Sequence, residues 1–211
     1  MGAYGTYRFL KNIMGLWMVQ CVNRELDNKY SFSELAEMAS KVEPFKQFIN
    51  INDSRFENPK NMIKEIQDYC RETHQKVPET LGEVVMAIYS NLALFYAYEI
   101  QKLDHILGFK IDSLNIVGGG SNVALLNQLT STLAGIDVYA GPGEATAIGN
   151  LIVQMITNHD ILNVYLGRRV ISDSFDIKKY EPEREKYSNV LDEYIDFLNT
   201  SRKGELVWRY V

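Results

Sequence analysis

Three consecutive glycines, Gly118, Gly119 and Gly120, stand between an apolar run, Leu114-Asn115-Ile116-Val117, and a segment of helical pattern that opens Ser121-Asn122-Val123-Ala124-Leu125-Leu126. The chemistry this arrangement supports is nucleotide or phosphate binding. Glycines let a ligand approach the backbone closely and let the chain take φ > 0. The helix that follows aims its free N–H groups and the positive end of its dipole back at the same place. Gly118, Gly119, Gly120, Ser121 and Asn122 are therefore the candidate ligand-binding residues. Asn122 has two readings, contact with a ligand or a side-chain cap on the helix. A dinucleotide fold is disfavoured, because the glycines do not continue as G-x-G-x-x-G and no acidic residue ends a following strand about 20 residues on.

Other residues with chemical potential have plainer readings. Glu144, behind Gly143, suits the dipole at a helix start better than catalysis. His74, His105 and His159 share no metal-ligand spacing with each other or with Cys21 and Cys70. Cys70 beside Arg71 reads as a structural thiol. Asn127 and Gln128 read as stabilising their helix or its neighbours, and Ala145, Ala147 and Gly149 as allowing close helix packing. Trp17, Met14 and Leu10 read as core, and Lys178 to Lys186 as a solvated loop and helix start.

The elements that must position the glycines follow from periodicity and punctuation. Leu10, Ile13, Met14, Trp17 and Cys21 recur at helical steps, predicting a helix from Tyr7 to about Leu26. Ser31 with Glu34, and Thr80 with Glu83, form capping boxes that open helices over Phe32–Val42 and Leu81–Leu107. Gly108 ends the second, with its apolar residues along one side. Asn61–Thr73 predicts a further helix that buries Met62, Ile63, Ile66 and Tyr69; Ile49–Pro59 before it reads as a polar loop. Strands are predicted at Ser113–Val117 and Ile136–Ala140, and helices at Asn122–Leu133, Glu144–Ile156, Ile161–Val170 and Pro182–Asn199. Two short strands make a poor sheet. Either more strands hide in the loops or the chain is part of a larger α/β unit. The apolar tail, residues 205–211, is expected to dock on the domain.

The 211 residues suit one domain or one lobe, with 46% hydrophobic residues available for a core. A net charge of −5 argues against a dedicated nucleic-acid binder. No apolar run is expected to reach the roughly 18–20 residues of a membrane span, and no signal peptide is evident. Two widely spaced cysteines suggest a reducing, cytoplasmic compartment.

Several segments resemble FGGY-type carbohydrate kinases. Ile116-Val117-Gly118-Gly119-Gly120 with Leu125-Leu126-Asn127-Gln128-Leu129 is similar to the adenosine motif of that family's C-terminal domain. Gly141-Pro142 with Glu144-Ala145-Thr146-Ala147-Ile148-Gly149-Asn150 is similar to the helix placed next. Tyr7 to Trp17, and the stretch from Asp53 and Phe56 through Pro59 and Met62 to Tyr69-Cys70-Arg71-Glu72-Thr73, resemble its rhamnulokinase branch. Phe175 to Pro182 looks like the family's closing segment.

The resemblance implies an α/β fold, the C-terminal lobe of an actin-like, ribonuclease-H-like sugar kinase, helix-rich with few strands in this stretch. It assigns residues 1–200 to the ATP-side domain and 201–211 to a tail. It implies transfer of the γ-phosphoryl group of ATP, with Mg²⁺, to the 1-hydroxyl of L-rhamnulose, a ketose, and use of the Gly119 backbone for ATP. The family's general base, first phosphate-binding hairpin and most sugar contacts belong to an N-terminal lobe, and Gly5-Thr6 only mimics its second phosphate-binding turn. The chain is thus expected to be a C-terminal piece, inactive alone. The alternative is a free-standing interaction module that self-associates through an exposed sheet edge.

Overall fold

The computed structural model describes residue 5, residue 7, residues 9–183 and residues 186–201. The tail beyond 201, and with it the docking expectation, lies outside the described residues.

At the centre is a long helix that has no polar face over most of its length. The Thr80 side chain accepts from the Glu83 N–H, and Glu83 reaches back to the Thr80 N–H, closing a capping box. From there α4 runs Leu81–Leu107 and ends at Gly108, whose φ of 73° only glycine adopts without strain. Every residue from Val84 to Phe95 is buried. The single apolar side expected from periodicity is therefore an underestimate. An 18-residue window of α4 has a mean hydropathy of 1.2, enough for a membrane span by length and composition, contrary to the expectation of none; 78% of that window is buried inside the protein. It is the core helix.

Other helices cover it. α1 (Trp17–Glu25), α2 (Phe32–Ser40), α5 (Ala124–Ala134) and α8 (Val190–Ser201) all contact α4, and α3 (Met62–Glu72) packs on α1. The Ser31–Glu34 capping box opens α2 as expected. α2 crosses α4 at Gly82, where a Cβ would stand 2.8 Å from the Met38 carbonyl oxygen. The predicted helix from Tyr7 is shorter than expected. Gly15 turns the chain at φ 63°, and the Met14 N–H bonds to Asn52 Oδ1, 3.2 Å, instead of starting a helical ladder. Leu10 is 74% exposed, so it is not core, while Met14 and Trp17 are half-buried against it.

The loop before α3 is not simply polar surface. Ile49, Ile51 and Phe56 are fully buried. A buried loop must satisfy its backbone without a ladder, and side chains do so here. Asn91 of α4 accepts from Ile49 N–H at 2.7 Å and donates to the carbonyls of Gln47 and Ala87 at 2.9 and 2.8 Å. Tyr69 accepts from Asn50 N–H, Gln75 brackets Phe48 on both sides, and Tyr194 of α8 donates to the Ile49 carbonyl.

The sheet has three strands in order β1-β2-β3. β1 (Ser113–Ile116) pairs in parallel with β2 (Asp137–Ala140), and α5 makes the crossover between them. β3 (Lys178–Tyr180) pairs antiparallel with β2 in a segment expected to be loop. It has no apolar alternation to betray it. Lys179 instead pairs with Asp137 at 2.9 Å and Glu181 at 2.6 Å, and α5 anchors the strand's end: Ser131 Oγ bonds to the Tyr180 carbonyl and Gln128 to that of Glu181. Charged, short edges of this kind resist further pairing.

α6 (Ala145–Thr157) and α7 (Val164–Ser174) pack on each other beyond β2. Their close approach is at Gly167, where a Cβ would lie 2.5 Å from Ile152 Cγ2. A Cβ on Gly149 would meet nothing within 4 Å and Ala147 is exposed, so these small residues do not serve close packing among the described residues.

Asn91→Ala would strand the Ile49 N–H and the Gln47 carbonyl in the core, at about 1–3 kcal/mol for each unsatisfied group. Urea unfolding is expected to report a loss of about 2–4 kcal/mol with an unchanged m-value.

Candidate functional site

The glycine turn is built where the carboxyl ends of β1 and β2 meet. The Gly141 N–H bonds to the Ile116 carbonyl at 2.9 Å, and the Gly118 N–H to the Pro142 carbonyl at 3.2 Å. The chain passes from β1 into a 3-10 turn, Gly118–Asn122, before α5 starts. This corrects the expected direct entry into a helix at Asn122. The residue preceding α5 is Val123, which offers no side-chain cap, so Asn122 is not the cap.

The five candidate residues divide by position. Gly118 sits at φ 72°, which the turn itself requires. A Cβ on Gly120 would stand 3.4 Å from Ile116 Cγ2, an ordinary contact. Ser121 is buried, and its hydroxyl donates to the Gly118 carbonyl at 2.7 Å. Beneath it, buried Asn127 donates from Nδ2 to the Ser121 carbonyl at 3.0 Å, the neighbour-stabilising role its position suggested. Gly119 and Asn122 face outward, and both line a cleft of about 630 Å³.

That cleft lies between the turn and the helical body. α1 contributes Leu16, Val19 and Gln20; α2 contributes Phe32, Ser33, Ala36, Glu37 and Ser40; Tyr89 of α4 forms its floor, and Val123, Ala124 and Leu125 its far wall. The walls are apolar and the rim is polar, a composition suited to a flat heteroaromatic group with a hydrophilic attachment. Gly119 is informative. Its φ lies outside the left-handed region and a Cβ there would meet nothing within 4 Å. Neither backbone nor packing within the chain demands glycine at 119, yet the position opens on the cleft.

A broader hollow of about 1000 Å³ lies on the other side of the strands, between Ser113, Asn115 and Tyr139 of the sheet and Arg168, Ile171 and Phe175 of the α7 region. None of the five candidates lines it.

The remaining titratable groups are not gathered into a site. His74, His105 and His159 are exposed. Cys70 is fully buried, and burial pushes its thiol up to about 11 despite neighbouring Arg71; it is structural. Glu144 precedes α6 without a side-chain capping bond. Among the described residues no three His, Cys, Asp or Glu side chains come together as metal ligands. Sequence reasoning missed the helical side of the cleft. Val19, Phe32 and Tyr89 fall inside predicted helices, and nothing local says which helix face meets a ligand.

Residues 1–157 match the family described as the FGGY family of carbohydrate kinases, C-terminal domain. The chain belongs to this family. It is similar to the rhamnulokinases of Ligilactobacillus salivarius, 76% identical over 95% of this chain, of Lactiplantibacillus plantarum, 66% over 98%, and of Bacillus subtilis, 50% over 92%. It spans 41%, 42% and 40% of their respective lengths. The crystal structure of xylulose kinase from Rhodospirillum rubrum superimposes with a TM-score of 0.57 at 16% identity, over 87% of this chain and 36% of that one. This likeness supports the fold: a helix-rich α/β portion of a sugar kinase with a small sheet.

The geometry separates two glycines of this sugar-kinase domain. Gly118→Ala is expected to cost about 1–2 kcal/mol, because alanine is strained at φ 72°. Gly119→Ala is expected to change stability by less than about 0.5 kcal/mol. Chemical denaturation of the two variants measures the difference.

Proposed function

We propose that the cleft beside Gly119 holds the adenosine end of ATP, and that these residues form the nucleotide-binding portion of a rhamnulokinase. Supporting the reading is Gly119, a glycine that neither φ nor packing among the described residues requires, open to a cleft with apolar walls. In this arrangement the base lies between the helical body and the Val123–Leu125 wall. The ribose passes over Gly119, where a side chain would occupy its space. Asn122 offers an amide at the rim, Ser121 keeps the turn in shape through Gly118, and Gly118 and Gly120 carry the backbone past the ligand. Phosphates extend toward the strand ends at Gly141 and Pro142.

The reaction proposed for the whole enzyme is transfer of the γ-phosphoryl group of ATP to the 1-hydroxyl of L-rhamnulose, in the cytoplasm. Such chemistry depends on positioning and charge neutralisation, with a base to take the hydroxyl proton. The described residues do not fit the demands of Mg²⁺, since no carboxylates gather near the turn. Glu37, the one carboxylate lining the cleft among the described residues, is paired with Lys41 at 2.8 Å on the surface. The proposal for these 211 residues is therefore nucleotide binding without transfer; catalytic groups and the sugar site belong to the part of the relatives that the chain does not span.

A second reading, self-association, draws on the sheet edge. Among the described residues β1 pairs with β2 only, leaving its other edge open. A concentration-dependent dimer in sedimentation, lost on placing proline in β1, is the outcome that would favour it.

A coupled assay of the 211-residue chain with ATP and L-rhamnulose is expected to show no turnover. A full-length rhamnulokinase carrying these residues as its C-terminal portion is expected to turn over. In that enzyme Gly119→Leu raises the KM for ATP by roughly tenfold or more and leaves the KM for sugar within about twofold. Equal effects on both substrates would overturn the assignment.

A further inference from the structure

The floor of the cleft carries an unspent donor. Tyr89, in the third turn of α4, is 1% exposed and lines the cleft from below. Two other tyrosines among the described residues are buried, and both phenols are engaged: Tyr69 with the Asn50 N–H at 3.1 Å, Tyr194 with the Ile49 carbonyl at 2.9 Å. The Tyr89 hydroxyl bonds to no described residue. Its surroundings explain why. Leu16 and Val19 of α1, Ala36 of α2 and Leu125 of α5 line the same cleft with apolar side chains. Among the described residues the polar side-chain atoms sealed from solvent without a partner are Asn23 Oδ1 and Asn127 Oδ1, so the Tyr89 hydroxyl, without a bond inside the protein, still opens on the cleft it lines, where a partner can enter from outside. Burial also pushes this phenol up to about 12, so it stays protonated and remains a donor across the physiological range.

We propose that Tyr89 is the base-positioning residue of the cleft: its hydroxyl donates a hydrogen bond to a ring nitrogen of the purine seated beside Gly119. The inference rests on the nucleotide reading of the cleft and adds what that reading lacks, a polar group at depth that distinguishes a heteroaromatic base from any flat apolar ring. The apolar walls hold the ring by burial, and the phenol fixes its rotation within the plane.

The test titrates adenosine into the 211-residue chain, wild type and Tyr89→Phe, beside thermal melts of both. Loss of one neutral hydrogen bond predicts a Kd about 3- to 10-fold higher in Tyr89→Phe. Melting should be little changed, because the hydroxyl bonds to no described residue. A deazaadenosine series, each ring nitrogen replaced in turn by CH, identifies the acceptor from the ligand side. One member should lose the same factor against wild type and bind Tyr89→Phe no worse than adenosine does. Equal adenosine affinity in both proteins, or wild-type affinity for every deazaadenosine, overturns the Tyr89 assignment while leaving the cleft's nucleotide reading intact. No adenosine binding to the wild-type chain overturns both.

Discussion

A helix with no polar face sets the architecture. From Val84 to Phe95 every residue of α4 is buried, so protein must cover it all round. Each fully buried large apolar side chain contributes on the order of 1.5–3 kcal/mol, and α4 supplies Val85, Ile88, Leu92, Leu94 and Phe95 among them. α1 and α2 pack against one part of its surface and α5 against another. The cleft is the gap that remains where these coverings fail to meet, with Tyr89 as its floor. Its walls are thus positioned by the same burial that stabilises the domain. Gly82 refines the arrangement: only a missing side chain lets α2 approach α4 so near the Met38 carbonyl.

The glycine turn completes the cleft through a division of labour. Gly118 provides the left-handed turn, and Ser121 and Asn127 hold the 3-10 segment from within. What is left for Gly119 is to be small at the surface. A turn selected only to join a strand to a helix would tolerate any residue there. The 3-10 segment also delays the start of α5, moving Asn122 off the cap position and onto the cleft rim. Geometry removes capping as a reading of Asn122 and leaves an exposed amide beside the cleft.

Local signals made the helical frame legible before any coordinates. The Ser31–Glu34 and Thr80–Glu83 capping boxes, and the stops at Gly108 and Gly135, are interactions among near neighbours, so they are written in contiguous letters. What escaped depended on distant partners. The helical pattern before Trp17 fails because Gly15 turns the chain and Asn52, 38 residues away, takes the Met14 N–H. β3 consists of two lysines and a tyrosine, and only β2 and α5 make a strand of them. Burial of the Ile49–Ile51 loop depends on Asn91, which in isolation looks like a polar residue interrupting an apolar helix. The glycine turn was legible as a possible cradle, but its opposite wall was not, because Val19, Phe32 and Tyr89 reach it only through tertiary packing.

The two ends of the domain differ in how completely they are covered, and this bears on what each can do. Helices α1 to α5 and α8 contribute to one continuous hydrophobic core. By contrast, Leu151 and Val153 of α6 and Tyr165 of α7 are 55%, 46% and 78% exposed, and Ile152 is the buried residue of its helix. Stability within a fold follows such buried contacts, so openings of low free energy belong to the α6–α7 end. The cleft is on the other side of that division: three of its walls, α1, α2 and α4, belong to the continuous core. A base held there meets surfaces that are already fixed, and little ordering is needed on binding. The strand ends at Gly141 and Pro142 face the less covered part. On the proposed reading, a nucleotide anchored at its base by this well-covered part extends its phosphates toward the less covered end.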